Sequence, residues 1–119
     1  ANRTFITRFF TETLIGGDYS GFRRYTDGTN FIQHSPDIGD GVDAVIAFLD
    51  DLAAQGNRLE YQHIHRTVAE GGFVLTHSEG RRHAYFELWR VVDGRLVEMW
   101  DAIPEVPQDH EALHDHGIF

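Results

Sequence analysis

The chain contains no cysteine, which excludes disulfides, thiolate metal sites and cysteine nucleophiles together. It has no apolar run near the ~20 residues of a membrane-spanning helix and no basic-then-apolar leader, so a cytoplasmic protein is expected. Basic residues are scarce: 10 Lys and Arg stand against 19 Asp and Glu, a formal net charge of −9. Without basic clusters there is little counterion release to hold a nucleic-acid backbone, so no nucleic-acid or membrane partner is expected. Phosphate-cradling loops are missing too. Gly39-Asp40-Gly41 carries an acid instead of a lysine, and Gly71-Gly72 sits in a hairpin. No Gly-x-Ser-x-Gly elbow surrounds Ser20, Ser35 or Ser78, which speaks against a serine hydrolase.

What is present is enough for one core. With 119 residues, 41% hydrophobic and 13% aromatic, residues 1–119 are expected to form a single domain. Phe5, Ile6, Phe9, Phe10 and Leu14 repeat at helical spacing, predicting an amphipathic helix over Thr4–Ile15 that stops at Gly16-Gly17. A short helix follows at Tyr19–Tyr25, then a strand at Asn30–His34. A third helix opens after Asp40-Gly41 and buries Val45, Ile46, Phe48, Leu49 and Leu52. From Leu59 the period changes to two, predicting strands over 59–69, 73–79, 83–92 and 95–103. Helices first and a strand meander afterwards define an α+β fold, with helices on one face of a curved antiparallel sheet. The tail, 108–119, is polar and His-rich, and its Gly117-Ile118-Phe119 end is apolar enough to tuck back.

Asp93-Gly94 is the strongest turn signal and makes Val92 and Arg95 opposite neighbours. Counting back places Phe86, Leu88, Val97, Met99 and Ile103 on an inner face with Asp101 as its one carboxylate. Burial raises a carboxyl's pKa, so Asp101 is a candidate general acid or base; a strand-end carboxylate capping backbone groups fits the pattern equally well. The opposite row, Tyr85, Glu87, Trp89, Val91, Leu96, Glu98 and Trp100, suits a second packing layer or a subunit interface. A Glu70-Gly71 turn would set Arg66 and His77 on the inner row and His63 and His65 outside.

The 8 histidines raise the question of a metal. His63 and His65 share a strand face at i, i+2, as in some metal sites, but no His-Glu-x-x-His helix or fixed set of three accompanies them. No metal or cofactor is therefore expected. His110, His114 and His116 lie in the polar tail, and His83 at a strand start. His34, before Pro36, and His77 remain as candidates for a pocket with Asp101; each suits a hydrogen-bonded structural role as well.

Three segments carry a resemblance: Phe31-Ile32-Gln33-His34-Ser35-Pro36, the helix start Asp40 to Phe48, and Trp89 to Asp101. In this order and spacing they resemble the SnoaL-like polyketide cyclase family of the nuclear-transport-factor-2-like superfamily. Pro104-Glu105-Val106-Pro107 and the final Gly-Ile-Phe look like a bacterial branch of it. The resemblance implies a cone-shaped α+β barrel, a homodimer formed through the outer sheet face (Tyr85, Trp89, Trp100), and cofactor-free aldol condensation with a pocket Asp as general acid/base. Asp101 matches that position. Related ketosteroid isomerases carry an acidic base where His34 stands, and Met99 replaces a residue often polar in relatives, implying a more apolar pocket.

The expected function is thus general acid/base chemistry on a hydrophobic carbonyl compound. Asp101, His34 and His77 are the catalytic candidates; Phe31, Phe86, Leu88, Met99 and Arg66 are expected to line the substrate pocket. The alternative is a non-catalytic module on the same fold that binds a small hydrophobe or assembles as a dimer.

Overall fold

Burial of the first helix follows its apolar stripe. In the computed structural model, which describes residues 1–107, 113–114 and 119, α1 (Asn2–Phe9) runs directly into a π-helical stretch, Phe10–Ile15. Ile6, Phe9, Phe10 and Leu14 are all buried. The short α2 (Gly21–Arg24) crosses the π-helical turn closely: a Cβ on Gly21 would collide with the Thr13 hydroxyl, so this position requires glycine. After α2 come β1 (Ile32–Gln33) and α3 (Val42–Ala54), which buries Val42, Val45 and Leu49.

Four long strands follow: β2 (Tyr61–Glu70), β3 (Phe73–Gly80), β4 (Ala84–Val92) and β5 (Arg95–Ala102). They form one five-stranded sheet in the order β1-β5-β4-β3-β2. Its neighbours are antiparallel except β1, which pairs parallel with β5. Among the described residues no helix is long and apolar enough to cross a membrane. Asp93 and Gly94 both have positive φ, 50° and 72°, as the expected two-residue hairpin requires.

Two irregularities decide which side chains face inward. Val92 pairs with Arg95 and Val91 with Leu96, but a bulge follows and Arg90 pairs with Glu98. Val97 is the extra residue. From there the pairing lies one residue beyond the uninterrupted count: Leu88 meets Trp100, Glu87 meets Asp101 and Phe86 meets Ala102. The inner row of β4 is therefore Tyr85, Glu87, Trp89 and Val91, all buried, and not Phe86 and Leu88. A one-residue slip exchanges the two faces of a strand, and a bulge is a built-in slip.

Tyr85 and Trp89 thus belong to the core and not to a subunit surface. Trp89 meets Phe9 and Phe10 edge-on at 5.4 and 5.7 Å, and Phe10 meets Tyr61 at 5.7 Å. The β2–β3 turn is Gly71-Gly72 and not the expected Glu70-Gly71, with Glu70 paired to Phe73. Two further register shifts in β2, between Tyr61 and His63 and between Ile64 and Arg66, leave Gln62 and His65 as extra residues. Beyond them Arg66 pairs with His77 on the outer face. The expected return of the tail is seen in Phe119, which stacks on His65 at 4.7 Å and His77 at 5.6 Å. The polar tail at 108–112 and 115–118, with His110 and His116, lies outside the described residues.

Candidate active site

Bulge and turn together place an acid at the centre of the concave face. Glu87, mid-β4, lies opposite Asp101 of β5 and Thr76 of β3 and is 2% exposed. The Tyr61 hydroxyl donates to Glu87 Oε2 at 2.8 Å. Tyr61 is held in turn by stacking on Tyr85 at 3.8 Å, and the Tyr85 hydroxyl donates to the Glu60 carbonyl at 3.2 Å. Trp89 Nε1 donates to Thr76 Oγ1 at 3.0 Å, and that hydroxyl donates to the backbone carbonyl of Glu87 at 3.3 Å. Tyr61 and Thr76, on either side of the acid, are thus themselves held. Glu87 Oε1 has no hydrogen-bond partner and is buried.

Burial sets the protonation state. Loss of hydration pushes the Glu87 carboxyl from 4.5 up to about 8; the Tyr61 hydrogen bond opposes the rise and the charge of Asp101 adds to it. At neutral pH Glu87 is a neutral acid. Since Oε2 accepts from Tyr61, the acid proton belongs on Oε1, the oxygen without an acceptor. Asp101 is half-buried, and burial raises its carboxyl as well. Tyr61 is driven well above its ordinary range by burial and by the neighbouring Glu87, so its hydroxyl stays a donor. A proton donor and a second carboxyl in adjacent strand positions make a pair whose environments separate their roles.

Of the residues expected from sequence, Asp101 and Met99 face inward, with Met99 opposite Trp89. Phe31 is buried in the core beside Phe22, ring centroids 5.9 Å apart. It also lines a surface recess of about 450 Å³ with Ile32, Arg90, Val92 and Leu96, which contains neither Glu87 nor Asp101. The histidines do not join Asp101. His34 Nε2 contacts Glu98 Oε2 at 2.8 Å, and its ring stacks on Trp100 at 4.7 Å, both outer-face residues. Glu98 also accepts from Arg90 Nε at 3.0 Å, and the His34 hydrogen bond and Arg90 together lower its pKa. His77 stacks on Phe86 at 4.3 Å and accepts at Nδ1 from Arg66 at 2.9 Å; burial and then Arg66 lower its pKa. Phe86, Leu88 and Arg66 are therefore outer-face residues and do not line a concave pocket. Glu87 and Tyr61 were missed from sequence. The available signal was the flanking of Glu87 by Tyr85 and Trp89 at i±2, an aromatic row too large to leave in solvent.

No protein-family model matches the chain, and no curated protein matches it. Solved structures do. An NTF2-like protein of unknown function from Burkholderia xenovorans LB400 superposes with a TM-score of 0.69 at 14% identity, covering 97% of this chain and 94% of that one. A protein assigned as a SnoaL-like polyketide cyclase from Jannaschia sp. CCS1 gives 0.66 at 21% identity, covering 86% and 84%. An M. tuberculosis epoxide hydrolase of the LEH-like type gives 0.60 at 20% identity, covering 82% and 79%. The chain has the NTF2-like α+β fold, and its structural relatives include SnoaL-like proteins.

Proposed function

We propose that the chain is an acid–base enzyme acting on a hydrophobic carbonyl compound, with its site on the concave sheet face. The observation that carries this reading is the neutral, buried Glu87, whose free acid oxygen lies in the same row as Asp101. Asp101, the less buried of the two, takes a proton from the carbon next to the carbonyl. The C–H electron pair moves into the enolate, and the developing oxygen charge meets the Glu87 acid proton. A fixed donor in a desolvated site is worth most where charge appears during the reaction. Tyr61 holds Glu87 in place. In an aldol condensation, the reference reaction, the enolate carbon then attacks a second carbonyl of the same molecule, whose π pair moves onto its oxygen; that oxygen takes the proton held by Asp101, and the first carbonyl re-forms. Relatives bearing the names of a polyketide cyclase and of an epoxide hydrolase share the fold, so the fold alone does not choose the reaction.

The test is hydrogen–deuterium exchange at the α-carbon of a bicyclic aromatic ketone, followed by NMR in D2O. Asp101→Asn should slow protein-catalysed exchange by roughly 100-fold, the size of a general-base contribution. Exchange at the wild-type rate in that variant rejects the assignment.

A second reading, assembly through the outer face, is favoured by its exposed apolar residues. Val68, Phe73, Leu75 and Phe86 are 38–56% exposed there, and such a contiguous patch marks an interaction surface. We propose a homodimer through this face, with Trp100 at its border. Sedimentation equilibrium should find a dimer that Leu75→Arg converts to monomer. A wild-type monomer at all concentrations rejects it.

A further inference from the structure

The β2 irregularities have a chemical result on the outer face. His63 stands opposite Glu79, and His65 is one of the two extra residues of the strand. Both imidazoles therefore reach the same carboxylate oxygen: His65 Nε2 lies 2.7 Å and His63 Nε2 3.4 Å from Glu79 Oε1. The three ligand atoms all fall within 4.8 Å of one another. Bulges of this kind re-aim side chains, and here two of them bring two nitrogens and one oxygen together. Neither ring swings freely: the rings pack at 4.6 Å, and Phe119 stacks on His65 at 4.7 Å.

We infer that His63, His65 and Glu79 form a binding site for a borderline divalent transition-metal ion, with zinc as the reference. Two ligands each ~2.0–2.1 Å from a tetrahedral zinc stand roughly 3.4 Å apart, the observed His63–Glu79 separation. The shorter His65 contact is hydrogen-bond length and opens slightly when a cation takes the proton's place. Imidazole donors select zinc, nickel, cobalt or copper over magnesium and calcium, which take oxygen ligands. Three protein ligands leave a fourth position for water. The side chains are partly exposed, His63 at 57%, so an ion enters from solvent without disturbing the core. The site stands on the opposite sheet face from Glu87 and Asp101 and is independent of their role.

The experiment is calorimetric titration of the untagged chain with zinc chloride, repeated with magnesium chloride. Wild type should bind one zinc with no competition from magnesium. His63→Ala and Glu79→Gln should each weaken binding roughly tenfold or more, with unchanged far-UV circular dichroism, since even outer partners of a metal cost tenfold or more. A variant carrying His110→Gln, His114→Gln and His116→Gln should bind zinc as wild type does. Cobalt should give a visible absorption band that is lost in His65→Ala. Zinc binding unaffected by His63→Ala and Glu79→Gln, or abolished by the tail replacements alone, overturns the assignment.

Discussion

Glu87→Gln is expected to remove most of the fall in stability that the protein undergoes between pH 5 and pH 8. The Glu87 carboxyl is protonated up to about pH 8 in the folded state, against an ordinary value of 4.5. Between those limits the unfolded chain has released the proton and the folded chain still holds it. Unfolding therefore gains ground as pH rises. The loss is about 1.4 kcal/mol per pH unit, roughly 5 kcal/mol over the window, and levels off above pH 8. Glutamine has the shape of the neutral acid, accepts the Tyr61 hydroxyl and never ionises. Wild type and variant should thus be similar at pH 5, and the variant should be more stable at pH 9 by roughly 3–5 kcal/mol. Asp101, raised in the same direction by burial, contributes with the same sign in both proteins. Urea denaturation across this range reads the difference directly. Parallel curves for the two proteins would mean that Glu87 is an ordinary ionised carboxylate.

Trp89→Ala is expected to cost about 3–5 kcal/mol, the range for emptying a large aromatic site in a core. Trp89 is 1% exposed, contacts both Phe9 and Phe10, and donates to Thr76. That cost is roughly a fifth or more of the whole stability of a typical domain, about 5–15 kcal/mol. Trp100→Ala is the internal control. Its ring lies on the outer face against His34, and its loss should cost about 1 kcal/mol or less in the monomer. Thermal unfolding of the pair therefore tests the bulge at Val97. If β5 ran without a bulge, both tryptophans would lie on one face and the two costs would be similar.

The elements themselves were readable in the sequence, because each rests on local chemistry. The stripe from Phe5 to Leu14 can bury only as a helix, and Asp93-Gly94 admits the positive φ angles of a tight hairpin. Asp101 and Met99 were placed on the inner face, yet their partners were not. The row Tyr85, Glu87, Trp89 reads as a second packing layer or a subunit interface as long as the hairpin is counted without a bulge. It becomes core once the aromatic volume on either side is weighed against the desolvation of one carboxyl. Bulges leave no mark of their own in composition: Val97, Gln62 and His65 are unremarkable residues for a regular strand. The same blindness hid the candidate site. Glu87 acquires its chemistry from burial, and the hydroxyl that holds it belongs to Tyr61, 26 residues away on β2, a pairing set by sheet order and not by any motif. His34 and His77 had the right residue type and the wrong face.

One neutral carboxyl in the concave face carries the proposed chemistry, and a direct titration tests it. Side-chain carboxyl resonances of 13C-labelled protein, followed from pH 3 to pH 10, should include one Glu signal that stays protonated through pH 7. Its midpoint should lie at about 8, and the signal should be absent in Glu87→Gln. A Glu87 resonance that titrates in the ordinary range near 4.5 would contradict the neutral acid and the proton donor built on it.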